Sequence, residues 1–308
     1  VAGLRHLDKP TNLEMTMRIG VSSYSYIRLT RAGEMTLKDT IGKAKEQGFD
    51  VIEILGLSSQ APDCDDPKAL AAELREEADR VGIELGAYTF GADFLKGSGG
   101  DLDKEIERVK GEVDLAAIMG APCLRHDASG GFPADYAGPK SFDNALPRLA
   151  KGCRAVTEYA ATKGVKTTVE NHGRFCQDSD RVEKLVVAVD HPNFGILIDV
   201  GNFVCVDEDS RVAVGRLMPY AFHCHAKDFH LKSGLLPAPG KGWGVSRGGN
   251  YYRGAIIGHG DVPLLPCFRA MKQAGYKGVL SIEFEGMEDV LMALEIGQAN
   301  LRKLVDMA

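Results

Sequence analysis

"VIEIL", Val51 to Leu55, followed after a short loop by "DPKALAAELREEADRVG", Asp66 to Gly82, is the stretch whose reading decides the fold. The five-residue run is almost wholly apolar, which suits a strand covered on both faces, as in a parallel sheet. The longer segment has helical periodicity. Asp66 stands where a side chain caps the first turn, Pro67 fits the first helical position, and Gly82 stands where a helix ends in the left-handed conformation. A strand, a loop and a helix of this size make one βα unit, and the pattern recurs along the chain.

Upstream, "RIGVSSYSY" (Arg18 to Tyr26) reads as a strand and "TLKDTIGKAKEQG" as a helix closed by Gly48. Downstream, "IELGAYTF", "PCLRH", "KTTVEN" (Lys166 to Asn171) and "FGILIDVGN" (Phe194 to Asn202) read as strands, each followed by a helical segment. "AFHCHAKDFH" (Ala221 to His230) is the seventh strand and "GVLSIEFEG" (Gly278 to Gly286) the eighth, with a last helix from about Glu288 to Val305. Eight such units predict an α/β chain closed into a single-domain (β/α)8 TIM barrel over 18–308, preceded by an N-terminal extension over 1–17. An open doubly wound sheet is the alternative, but "VSSYSYIRL" lacks the glycine-rich dinucleotide turn expected after its first strand. One connection breaks the spacing, a long loop after strand seven from Phe229 to Pro263, and so long a loop in a compact domain is usually functional.

Among 308 residues, 44% are hydrophobic and 26% charged, the balance of a soluble globular protein. The net charge of −6, without a dense basic run, argues against nucleic acid as the partner. Seven scattered cysteines with no CxxC pair read as buried thiols of a reducing compartment. There is no apolar run long enough to span a membrane, and the first residues lack the apolar core of a signal peptide, so a cytoplasmic location is expected.

In a (β/α)8 barrel the chemistry sits at the C-terminal ends of the strands. Glu170 ends strand five, Asp199 strand six and His225 strand seven, and Glu283 lies late in strand eight. Each stands where an ordinary buried strand would continue with valine or isoleucine. Alone, Glu170 or Glu283 reads equally as a structural ion-pair partner or a ligand, and a single histidine on an apolar strand is more often a hydrogen-bonded core residue. Together, three carboxylates and a histidine on successive strand ends read as a divalent-metal site, since burying them without a cation would be costly. Three oxygen donors and one nitrogen suit Mn²⁺, with Mg²⁺, Co²⁺ or Zn²⁺ as alternatives.

The pieces "VEN", "IDVGN", "HCHAKD" and "SIEFEG", in that order, resemble the xylose isomerase-like barrels, which include sugar isomerases and epimerases, inosose dehydratase, hydroxypyruvate isomerase and endonuclease IV. The resemblance runs from about Arg18 to the end and implies metal ligands Glu170, Asp199, His225 and Glu283. It further implies catalysis by Glu170 and Glu283 on opposite faces of a carbohydrate substrate, one removing a proton α to a carbonyl and the other returning one through an enediolate. A carbon acid of this kind needs its enolate stabilised by a cation in a dry site. Lyases of the same superfamily act on 3-oxo-glycosides by β-elimination, as C-glycoside deglycosidase catalytic subunits do with a small partner subunit, and dehydratases or hydratases are related alternatives. Endonuclease IV needs a richer ligand set and a basic groove. A barrel that only binds carbohydrate is the remaining reading. Ketose 3-epimerases of this family carry histidine three residues after the strand-six aspartate, where this chain has Asn202.

Substrate-binding candidates are Lys227, beyond His225; Arg125 and His126 at the end of strand four; His172 and Arg174 after Glu170; and Asn202. Lys227 reads equally as a surface salt-bridge partner. His223 reads as a buried spacer on the strand of His225. The glycine-rich "SRGGNYYRG" and "GHGD" read as a flexible lid with Trp243, Tyr251 and Tyr252 against sugar faces, or as a phosphate loop. A homo-oligomer is the expected assembly.

Overall fold

Eight parallel strands close into a barrel in which each strand is followed by a helical layer. This computed structural model describes residues 17–308; the extension expected over 1–17 lies, apart from Met17, outside the described residues. The barrel strands are β1 (Arg18–Ser22), β2 (Val51–Leu55), β3 (Glu84–Phe90), β4 (Cys123–His126), β5 (Lys166–Glu170), β6 (Phe194–Asp199), β7 (Ala221–Ala226) and β11 (Val279–Ile282). They close in the order β1-β11-β7-β6-β5-β4-β3-β2. The opening stretch behaves as its residues dictate. Asp66 accepts from the backbone N–H of Lys68 and Ala69, Pro67 begins the helix, and Gly82 ends it at φ 70°.

Ten helices are assigned among the described residues, α1 (Ile27–Arg31), α2 (Leu37–Glu46), α3 (Leu57–Gln60), α4 (Pro67–Val81), α5 (Leu102–Met119), α6 (Phe142–Thr162), α7 (Ser179–Val189), α8 (Ser210–Leu217), α9 (Leu264–Gln273) and α10 (Val290–Met307). Their apolar stripes cover the barrel: Val109, Val113 and Ala116 of α5 and Cys153, Val156 and Ala160 of α6 are fully buried. Each large apolar side chain removed from water in this layer contributes about 1.5–3 kcal/mol. Six of the seven cysteines are buried and all seven are free, with Cys64 partly exposed. No helix among the described residues is long and apolar enough to cross a membrane.

Strand one is shorter than its sequence suggests. After Ser22 the chain turns into a 3₁₀ segment, Ser23–Tyr26, because the Ser22 hydroxyl accepts from Tyr24 N–H and competes with the extended form. The turn closes the barrel: the buried Ser25 hydroxyl donates to the Ile282 carbonyl at 3.2 Å and accepts from Phe284 N–H at 2.9 Å. That clamp holds the backbone on both sides of Glu283.

The long connection after β7 is an ordered antiparallel sheet rather than a flexible loop. Strands β8 (Asp228–Lys232), β9 (Gly244–Val245) and β10 (Tyr251–Ala255) lie in the order β8-β10-β9, with Phe229 opposite Gly254. At its base the buried Asp228 carboxylate accepts from the N–H groups of Phe229, Gly258, Gly260 and Val262. One side chain thereby ties both ends of the insertion together.

Candidate metal centre and active site

Strand register brings the four strand-end groups to one spot. Asp199 pairs with His225 across β6 and β7, and Glu283 N–H bonds to the Ala226 carbonyl at 3.1 Å. Glu170, Asp199, His225 and Glu283 each offer an atom within 4.8 Å of the others. Asn171 stitches the ends of β5 and β6 together, its amide donating to the Asp199 carbonyl and accepting from Asp199 N–H, both at 2.8 Å. Gly201 allows the chain to pass Lys227, since a Cβ there would lie 2.7 Å from the Lys227 carbonyl oxygen.

Two buried atoms in this cluster make no hydrogen bond, Asp199 Oδ2 and His225 Nδ1; Asp199 Oδ2 has the Lys227 ammonium beside it as an ion-pair partner at 3.2 Å. Asp199 Oδ1 accepts from the N–H groups of Gly201 and Asn202 at 2.8 and 3.0 Å, which leaves Oδ2 to face Lys227 and His225. His225 Nδ1 lies 3.9 Å from both Asp199 Oδ2 and Glu283 Oε2. Orphaned atoms of this kind are costly in a sealed interior. A divalent cation between them would satisfy both, and the mixture of carboxylate oxygens with one imidazole nitrogen is a fitting donor set.

The remaining charges are arranged around the same point. Glu170 is held at both oxygens, Oε1 by Asn202 Nδ2 at 2.9 Å and Oε2 by Arg125 at 2.5 Å. Lys227, 2% exposed, reaches Glu283, Asp199 Oδ2 at 3.2 Å and Glu285 at 3.4 Å. Burial lifts the Asp199 carboxyl to about 6, opposed by the Lys227 charge. At Glu283 burial also works upward, but Lys227 and His225 overcome it and hold the carboxyl at about 2. Burial disfavours a charged His225, yet Glu53, Glu283 and Glu170 outweigh it and raise the imidazole to about 10. The cluster without a cation therefore keeps its negative charge balanced by a lysine and a protonated imidazole.

The sequence candidates divide into four groups. Lys227 and Asn202 belong to the buried centre, joined by a 3.2 Å hydrogen bond from Lys227 Nζ to the Asn202 side-chain oxygen. Lys227 is thus neither a surface ion pair nor a rim group. Arg125 lies beneath the mouth, bridging Glu170 and Asp127. His172 and Arg174 sit on the rim; His172 Nδ1 donates to Asp127 at 2.9 Å, and Arg174 donates to the Val245 carbonyl at 2.7 Å and the Tyr252 hydroxyl at 3.2 Å. His126 is a correction. It is fully buried, donates to the Asp127 carbonyl and packs against Phe94 and Phe194, so no sugar reaches it, and burial lowers its pKa to about 4.

A cavity of about 160 Å³ opens above the centre and is lined by His172, Arg174, Asn202, Lys227, Tyr252 and Glu285. Of the three aromatics expected there, Tyr252 lines it, whereas Trp243 lies between Lys232 and Arg253 on the insertion. A larger cleft of about 610 Å³ runs between the insertion and α8; unlike the smaller cavity, it is lined by neither Lys227 nor Asn202.

Several groups at the site escape a reading by strand ends. Tyr24, in the 3₁₀ turn, lies near Glu285 and Glu283; its burial, reinforced by their charges, pushes its hydroxyl to about 12. Asp127 and Glu285 stand one and two positions beyond readable groups. Glu53, in the middle of β2, is 0% exposed and accepts from His223 at 2.5 Å and His225 at 2.8 Å. The signal for Glu53 was the charged residue in an otherwise apolar "VIEIL", and His223 is its partner rather than a spacer.

Comparison with known proteins agrees with the geometry. Residues 41–305 match the family model described as xylose isomerase-like TIM barrel. An uncharacterised protein of Methanocaldococcus jannaschii is 23% identical over 94% of this chain and 91% of its own. An inosose dehydratase of Clostridium perfringens is 27% identical over 44% of this chain, which covers 46% of that enzyme, less than half its length. A solved L-ribulose 3-epimerase superposes with a TM-score of 0.70 at 16% identity, over 94% of this chain and 95% of that one, a likeness of fold.

Proposed function

This chain belongs to the xylose isomerase-like TIM barrel family, and on that premise we propose that it is a divalent-metal-dependent enzyme that moves a proton at the carbon beside a carbonyl of a sugar or sugar-like polyol. The observation that carries the reading is the pair of buried atoms that make no hydrogen bond, Asp199 Oδ2 and His225 Nδ1, 3.9 Å apart within a ring of carboxylates that has Lys227 as its counter-charge. Glu170, Asp199, His225 and Glu283 would hold the ion, with Mn²⁺ the best match to three oxygens and one nitrogen. When bound, the cation supplies Lewis-acid stabilisation of the negative charge that develops on substrate oxygens.

The protein's own groups do the rest. Glu170 and Glu283 are the proton-transfer pair, Glu283 with a partly exposed side chain and Glu170 fixed by Arg125 and Asn202. Lys227 and Asn202 face the substrate from below; Arg174 and His172 meet it at the rim. The Arg174 bonds to Val245 and Tyr252 close the insertion over the mouth and restrict water.

Isomerisation or epimerisation is the leading outcome of the abstracted proton. Loss of a β-leaving group, as in a dehydratase or a 3-oxo-glycoside lyase, is the second, favoured by the dehydratase relative and by Asn202 in place of the epimerase histidine. Metal analysis of purified protein and of Asp199→Asn tests the common premise. About one tightly held ion per chain in the parent, lost in the variant, is expected; an equal, substoichiometric content in both would overturn it. Product analysis by NMR then separates a stereoisomer from a dehydrated or aglycone product.

A further inference from the structure

A second constellation of metal-ligating side chains lies directly beneath the first: Glu53, His223 and His225 also place one atom each within 4.8 Å of one another. Unlike the upper set, it is already satisfied. Glu53 Oε1 accepts from His223 Nε2 at 2.5 Å and Oε2 from His225 Nε2 at 2.8 Å, and none of these atoms is orphaned. A cation there would destroy both hydrogen bonds and demand both ring nitrogens of His225. The lower set is therefore a support and not a second site.

We propose that Glu53 is the positioning residue of the metal centre: it fixes a proton on His225 Nε2 and aims the Nδ1 lone pair at the cation, while His223 occupies its other oxygen and locks its rotamer. The inference rests on the reading of Glu170, Asp199, His225 and Glu283 as metal ligands. An imidazole ligates through an unprotonated nitrogen, and which nitrogen is free depends on the hydrogen bond made by the other. His225 can rotate only by breaking a charge-assisted hydrogen bond to a carboxylate that is 0% exposed and has no water to replace it. The orphaned nitrogen of His225 is the one opposite Glu53, and it faces Asp199 and Glu283. Edge-to-face packing of the His223 and His225 rings, 5.6 Å apart at 83°, holds the second imidazole where it restrains Glu53. The three groups come from two strands across the barrel, so β2 contributes to a centre whose ligands all come from β5 onward.

The test compares the full chain with Glu53→Gln, Glu53→Asp and His223→Asn. A glutamine can accept from only one imidazole and presents N–H to the other, so Glu53→Gln should bind Mn²⁺ roughly 10–100-fold more weakly in titration calorimetry, with partial recovery in Glu53→Asp. The second readout is ¹⁵N–¹H NMR of the imidazoles, metal-free and with diamagnetic Zn²⁺, with His225 assigned by its loss in His225→Asn. A slowly exchanging His225 Nε2 proton should appear in both states of the parent and persist in His223→Asn, and it should be lost in Glu53→Gln. Unchanged Mn²⁺ affinity in folded Glu53→Gln, or a parent His225 that carries its proton on Nδ1 with Nε2 bare, would overturn the inference. If the parent binds no divalent ion, the metal reading fails by itself, while the Glu53-dependent Nε2 proton still decides the positioning role. Should Glu53→Gln not fold, Glu53→Asp and the parent spectrum carry the test.

Discussion

Removing the Lys227 ammonium should expose how the metal-free centre keeps its charges in balance. Lys227 is 2% exposed and stands among Asp199, Glu283 and Glu285. Lys227→Met keeps the bulk of the side chain but leaves buried carboxylates without their partner, a change that typically costs about 3–5 kcal/mol. Unfolding entropy of about 2.1 cal/mol/K per residue gives roughly 0.65 kcal/mol/K for a chain of 308 residues. The expected loss in EDTA is therefore about 5–8 °C in Tm. A bound cation would neutralise the same carboxylates without competing against an ammonium. Manganese at 100 times its Kd stabilises the parent by about 2.7 kcal/mol, or roughly 4 °C, and should stabilise the variant by more. Differential scanning calorimetry of both proteins in EDTA and in Mn²⁺ measures the four values. A variant that loses the same number of degrees in EDTA and in Mn²⁺ would refute the argument that lysine and metal serve the same carboxylates.

The pH dependence of metal binding follows from the same groups. Asp199, raised to about 6, and His225, raised to about 10, each contribute stability to the metal-free fold that is present at low pH and lost as pH rises through those values. The cation needs both deprotonated, so Mn²⁺ affinity should climb about tenfold per pH unit between 6 and 10 and more steeply below 6; calorimetry at several pH values checks this, and a flat profile would contradict it. Arg174→Ala removes two tethers of the insertion at an exposed position, so kcat/KM should fall while Tm stays within about 1–2 °C of the parent. Asp228→Asn weakens a carboxylate that accepts four backbone N–H groups and should cost roughly 1.5–3 kcal/mol in urea unfolding, with early proteolysis of the insertion.

The barrel was legible because each unit carries its own punctuation. Asp66, Pro67 and Gly82 delimit one helix by local chemistry alone, and the strand runs follow from apolar continuity. The four strand-end groups were legible for the same reason, since a barrel directs successive strand ends to one rim. Non-local pairing was not. Glu53 meets His225 across 172 residues of chain, so its purpose depends on closure of the barrel. His126 looked like a rim group because it ends β4, but the rings of Phe94 and Phe194 bury it. The insertion looked flexible because its glycines dominate the composition; the alternation in "DFHLK" and "YYRGA", and the position of Asp228, carry the information that it is a sheet.

The claim that Glu170 and Glu283 move a proton beside a carbonyl is tested most directly by ¹H NMR in D₂O on a panel of ketoses, aldoses, inososes and 3-oxo-glycosides with Mn²⁺. The parent should place solvent deuterium on the carbon beside the carbonyl of its substrate, and EDTA, Glu170→Gln and Glu283→Gln should each abolish that exchange in folded protein. Turnover of the substrate without deuterium incorporation, or exchange that persists in both glutamine variants, would contradict the account.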